Sequence, residues 1–191
     1  MTTLQVITKD HLYLKFDLGH LFTMQEALDK RIAYKKTDKL DMLFRSLIIE
    51  INEAWNETRS FKFWSTKYNI PNKGALLEEL VDGLHFLMNI VIELNKHTNR
   101  RELVEKFKKQ NMTRKNTSNV NLLFEWYIDD AIRAKSAWCT YGDMSRTVFH
   151  LQRMFGNLFR ICYLYGFTFD DIVKAYEKKN EENFIRQDTG Y

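Results

Sequence analysis

"LFRSLIIEINEAWNETRSFKFW", residues 43–64, decides the fold. Its apolar residues recur as on the buried face of a helix, yet Glu50, Glu53 and Glu57 stand among them at spacings of three and four. Those spacings bring all three carboxylates to one side of the rod. Like charges so placed repel one another unless something positive sits between them.

The rest of the 191-residue chain supports a helical reading. Its length suits one domain, residues 1–191, and 45% hydrophobic with 14% aromatic residues supplies a core. One proline and seven glycines are few, which favours long helices over many short strands. The net charge of +4 permits a phosphate-bearing ligand without implying nucleic acid. Cys139 and Cys162 lie in no CxxC or Cys/His spacing, so they suggest a reducing compartment and no zinc site. The first twenty residues carry no basic-then-apolar signal, and the longest apolar run, "LHFLMNIVI", is too short to span a bilayer. A cytoplasmic, non-membrane protein is the expectation.

Periodicity predicts helices over Leu21–Tyr34, from an Asp38 N-cap to about Thr58, and over Ala75–Asn95. Between the second and third lies an aromatic connector, "SFKFWSTKYNIPNKG", with the only proline. Residues 96–119, eight Lys/Arg against two Glu, read as a short helix followed by a basic, mobile connection. Further helices are expected over Val120–Ala137, Asp143–Tyr165 and from Phe169, the last capped by Thr168 or Asp170. The fold class is therefore all-α, a bundle of six to seven helices. Phe149, Phe155 and Phe159 fit either its core or an interface.

The third helix supplies a partner for the glutamates. "ALLEELVDGLHF" sets Glu79 and Asp82 three apart, flanked by Glu78. An ExxE on one helix and an ExxD on the next can build one acidic pocket across an antiparallel pair. Four unpaired carboxylates there would be strongly destabilising, and a hard divalent cation removes the problem. Oxygen-only ligands suit Mg²⁺, with Mn²⁺ as a substitute. A lone ExxE is ordinarily a solvated helix face; two on adjacent helices, each among apolar residues, shift the balance toward a metal site. A di-iron bundle would want Glu-x-x-His on two helices, and only Asp82–His85 has comparable spacing.

On these residues the sequence resembles the dimeric all-α dUTPases, of bacterial and phage type, within the all-α NTP pyrophosphatase (MazG-like) superfamily. "MQEALDKRI" is similar to the first motif of that family, "EINE" and "EELVDGLHF" to its metal motifs, and "FKFW" to its aromatic segment. "YEKKNEENFIRQDTGY" is similar to its last motif. The resemblance implies Mg²⁺-dependent hydrolysis of dUTP to dUMP and diphosphate by a homodimer. It implies that Glu50, Glu53, Glu79 and Asp82 are metal ligands, with Glu50 or Glu53 also orienting or deprotonating the attacking water. Gln25, Asp29, Trp64, His85 and Phe86 match positions around base and sugar; the family often has Asn where Asp29 stands. Lys179, Asn180, Asn183, Arg186 and Tyr191 match the segment that closes over the nucleotide.

Each supporting residue also has a plain structural reading. His85 on an apolar face is ordinarily a core histidine, Trp64 a core aromatic, and Gln25 a surface residue. Lys178 and Lys179 are ordinarily solvated and complement a helix C-terminus. The basic segment from Lys96 lacks the interleaved aromatics that stack bases, so no direct nucleic-acid binding is expected. Two rivals stand beside dUTP hydrolysis: a dCTP or broader dNTP pyrophosphatase of the same fold, and a non-catalytic protein that binds a regulatory partner, as phage-encoded relatives can.

Overall fold

The computed structural model describes residues 5–8, 11–32, 34, 36–98, 102–113 and 117–190. Seven helices dominate: α1 (Gly19–Ile32), α2 (Lys39–Thr58), α3 (Lys73–Thr98), α4 (Glu102–Lys108), α5 (Val120–Cys139), α6 (Met144–Leu164) and α7 (Phe169–Thr189). The fold is all-α, as composition and periodicity predict. Three short strands join it: β1 (Gln5–Thr8), β2 (His11–Asp17) and β3 (Lys109–Thr113), antiparallel in the order β1-β2-β3.

The pairing of α2 with α3 positions everything that follows. The Asn72 amide donates to the Glu57 carbonyl at 3.0 Å, Glu50 faces Glu79, and Lys39 meets Glu93 at 3.1 Å. Residue numbers rise along one helix as they fall along the other, so the two run antiparallel. Leu43, Phe44, Leu47, Ile51 and Ala54 make the buried stripe of α2, at the three- and four-residue steps of an amphipathic helix. α3 is buried over most of its circumference from Leu80 to Leu94, as befits a central helix.

α5 and α6 form a second pair. Ala131, Ala134 and Ala137 are buried on α5. Trp55 of α2 stacks on Phe124 of α5 with centroids 5.7 Å apart, and its indole N–H donates to Asn121 Oδ1 at 2.9 Å. Phe155 and Phe159 are core residues, whereas Phe149 is 54% exposed.

α7 starts with a complete capping box. The Asp171 amide donates to Thr168 Oγ1 at 3.1 Å and the Thr168 amide to Asp171 Oδ2 at 2.8 Å. The predicted N-cap of α2, Asp38, makes no capping bond and accepts instead from the Tyr34 hydroxyl at 2.9 Å.

The basic segment 96–119 is more structured than a connection. α4 is the short helix expected there, and β3 follows it directly to pair with β2. Sequence periodicity overlooked the sheet because β3, "KQNMT", has no strand pattern of its own; β2 supplies its ladder. The alternation of Leu12, Leu14 and Phe16 is the signal that was available. Phe16 stacks on Phe159 at 4.6 Å and ties the sheet to α6.

Candidate functional site

Three carboxylates meet where α2 and α3 cross. One oxygen from each of Glu50, Glu53 and Glu79 lies within 4.8 Å of the others. Glu53 is exposed, whereas Glu50 and Glu79 are part-buried. Burial, then the charges of Asp82, Glu53 and Glu79, push Glu50 up to about 7. Its hydrogen bond with Glu79 acts in the same direction on Glu50 and the opposite one on Glu79, so of the two carboxyls Glu50 is the one that holds a proton more readily. Burial and the repulsion of Asp82 and Glu53 still leave Glu79 above its ordinary value.

Asp82, one turn along α3, is not within that ligand distance among the described residues. Its Oδ2 pairs with Lys179 Nζ of α7 at 2.6 Å, and the same ammonium reaches Glu78 Oε1 at 3.3 Å. Burial raises the Asp82 carboxyl despite this partner. For Lys179, burial acts downward, but the bonds to Asp82 and Glu78 outweigh it and lift the ammonium above its ordinary value. Glu57, the third carboxylate of the opening stretch, stands outside the cluster.

Beside the carboxylates a cavity of about 200 Å³ opens between α1, α3 and α7. Its charged lining is Glu50, Asp82, Lys179 and Arg186. Gln25, His85, Phe86, Asn89, Asn183 and Gln187 line it too, with the apolar Leu28 and Ile32. His85 is fixed firmly. Its ring stacks on Tyr176 with centroids 3.8 Å apart and planes 12° from parallel. The Tyr176 hydroxyl donates to Gln25 Oε1 at 2.6 Å, and His85 Nδ1 lies 2.7 Å from the same oxygen. Burial, aided by the Lys179 charge, lowers His85 to about 3, so the imidazole is neutral at physiological pH. α7 is held on α1 by His20–Glu177 at 3.1 Å and by an Arg31–Asp188 pair, which brings Lys179, Asn183 and Arg186 to the cavity.

The structure thus gathers Glu50, Glu53 and Glu79 into one cluster, and Gln25, Asp82, His85, Phe86, Lys179, Asn183 and Arg186 around the adjoining cavity. Three predicted residues stand elsewhere. Asp29 is buried, its carboxylate clasped by Lys39 at 2.5 Å and by Lys96, which lock α1 to α2 and α3. Burial acts upward on Asp29, but these two ammonium groups outweigh it and hold the carboxyl below its ordinary value. Trp64 is 67% exposed on the connector, edge-on to Phe63 and Phe61. Asn180 is buried in α7 and does not line the cavity. Tyr191 lies outside the described residues. Sequence reasoning passed over Tyr176, Asn89 and Gln187. The first stands three residues before Lys179 and the second four after His85, spacings that share a face with a named residue.

Asp29→Asn should cost roughly 2–3 kcal/mol of stability, because Lys39 would stay buried with only Glu93 for a partner. Urea denaturation measures it. An unchanged midpoint with lost nucleotide affinity would return Asp29 to the ligand site.

A helical bundle carrying carboxylates on an antiparallel helix pair is the arrangement of the all-α NTP pyrophosphatase class, and this fold is consistent with it. Within that class, the family model described as dUTPase matches residues 17–191, and the chain belongs to the all-α dUTPase family. It is an enzyme that hydrolyses dUTP. No curated protein matches the chain. The match begins inside β2, so β1 and most of β2 precede it. Among the described residues no helix is long and apolar enough to cross a membrane.

Proposed function

We propose that the carboxylate cluster and the cavity beside it are the active site, and that hydrolysis there yields dUMP and diphosphate with Mg²⁺ as cofactor and Mn²⁺ as a substitute. The observation that carries this reading is the convergence of Glu50, Glu53 and Glu79, one oxygen of each within 4.8 Å of the others, on two helices packed together. The donors are all oxygens, which fits a hard cation. Glu50, Glu53 and Glu79 would hold it, with Asp82 joining once Lys179 turns to phosphate. Bound there, Mg²⁺ would supply countercharge to the phosphate oxygens.

The chain's own groups account for the rest. Glu53, the exposed member of the cluster, takes the proton of a water attacking the phosphoanhydride between the nucleoside monophosphate and the departing diphosphate. The water oxygen forms the new bond to phosphorus, the anhydride P–O bond breaks, and its electrons leave with diphosphate. Lys179 and Arg186 bind phosphate oxygens with charge-assisted hydrogen bonds, and Asn183 adds a neutral one. Gln25, His85 and Phe86 line the space for base and sugar. Asn180 acts from behind that wall. Trp64, exposed on the connector, contributes to the surroundings of base and sugar, and Tyr191 is assigned to the nucleotide with the rest of the C-terminal motif. Asp29 acts here only by fixing α1, and with it Gln25. The homodimer belongs to this reading too. Exposed Ile49, Trp126, Ile132 and Phe149 offer apolar surface to a second copy, and sedimentation gives the answer.

Diphosphate release from dUTP, dCTP, dTTP and UTP, with Mg²⁺ and with EDTA, tests the proposal. Turnover that is confined to dUTP and stopped by EDTA is expected. A preference for dCTP would keep the site and overturn its base specificity; EDTA-resistant turnover would overturn the cation.

A further inference from the structure

Five buried side-chain polar atoms among the described residues have no hydrogen-bond partner: His85 Nε2, Asn89 Oδ1, Asn95 Oδ1, Tyr127 OH and Asn180 Nδ2. Of these five residues only His85 and Asn89 line the cavity. A buried polar atom without a partner costs stability, and a fold retains it most readily where a ligand completes it.

The character of both atoms can be worked out. An amide oxygen only accepts, and Gln25 Oε1 already takes the Tyr176 hydroxyl at 2.6 Å. His85 Nδ1, 2.7 Å from the same oxygen, must therefore carry its hydrogen, and Nε2 is left as a bare acceptor. Asn89 Oδ1 is an acceptor by nature. Asp82, His85 and Asn89 follow one another on a single face of α3 at steps of three and four. The helical rise places Asn89 roughly 10 Å beyond Asp82. A nucleotide whose phosphates lie at the carboxylates thus brings its sugar to the level of His85 and its base to that of Asn89.

We infer that Asn89 is a specificity-determining residue of this site, its carboxamide reading the imide edge of uracil: Oδ1 accepts N3–H, and Nδ2 donates to the neighbouring ring carbonyl. The inference rests on the reading of the cavity as the nucleotide site. Cytosine has a lone pair at N3 where uracil has N–H, and so turns an acceptor toward a wall whose two unpartnered atoms are acceptors. Thymine has the same imide edge as uracil, so Asn89 does not separate those two.

Asn89→Ala and Asn89→Leu test this through melting of the nucleotide-free protein, calorimetric binding of hydrolysis-resistant α,β-imido-dUTP, and kinetics on dUTP, dCTP and dTTP. A ligand-binding role predicts a melting temperature held or raised, because the substitution removes an unpartnered buried acceptor. It predicts affinity for the analogue weaker by roughly ten- to a hundredfold, with KM for dUTP rising in step and kcat within about threefold. The preference for dUTP over dCTP should fall at least about tenfold, with that over dTTP unmoved. Unchanged affinity and preference would overturn the inference. So would a lowered melting temperature with kcat falling as far as KM rises, the mark of a structural residue. If wild-type protein bound no deoxyuridine nucleotide, the active-site reading would fail and take the inference with it; wild-type binding with unaffected variants sinks the inference alone.

Discussion

Glu53→Gln is expected to lower kcat for dUTP by about 10³-fold, the scale of losing a positioned base, while the empty protein melts no lower than wild type. Glu53 is the exposed carboxylate of the cluster, so an isosteric amide there disturbs no packing. It also takes away one of the charges that repel the Glu50 and Glu79 carboxylates. Activity and stability should therefore move independently, which a misfolded variant cannot imitate. Glu57→Gln is the matched control: the same helix and the same substitution, one turn outside the cluster, with a rate within about twofold of wild type. If Glu53→Gln kept more than a tenth of the wild-type rate, the water would have to be activated elsewhere.

The second large effect is in pH. Glu50 titrates near 7 in the folded, cation-free protein and near its ordinary 4.5 when unfolded. Between those values the folded state holds a proton that the unfolded state has released. Stability therefore falls as pH rises through this window and levels off above it. EDTA-treated protein should melt higher at pH 5 than at pH 8. Mg²⁺ should reverse the trend, raising the melting temperature little at pH 5 and strongly at pH 8, because below pH 7 it must first displace that proton. Glu50→Gln flattens the slope, leaving what the raised Glu79 and Asp82 contribute, and makes the EDTA-treated protein more stable than wild type at pH 8. Equal Mg²⁺ stabilisation at both pH values would refute the proton on Glu50.

What the sequence disclosed follows from where each interaction has its partner. The pairing of α2 with α3 was legible because both halves repeat at helical steps and only a connector divides them. The start of α7 was legible, as Thr168 or Asp170, because a cap closes within four residues; of the two, Thr168 is the N-cap. Asp29 was not: its lysines lie ten residues away in one case and at the far end of α3 in the other, and no local pattern says that a carboxylate on α1 will be clasped rather than offered to a ligand. Nor does "FKFW" reveal that Trp64 rests on neighbouring rings of its own connector instead of on the core. Tyr176 escaped notice because its hydroxyl acts through Gln25, 151 positions earlier.

That last separation affects how the molecule comes into being. The two helices bearing the carboxylates emerge from the ribosome one after the other and can meet early. The chamber beside them needs α7 as well as α1, joined by Tyr176 to Gln25, His20 to Glu177 and Arg31 to Asp188. A nascent chain therefore carries its acidic centre, and Asn89 on α3, well before α7 encloses the space beside them.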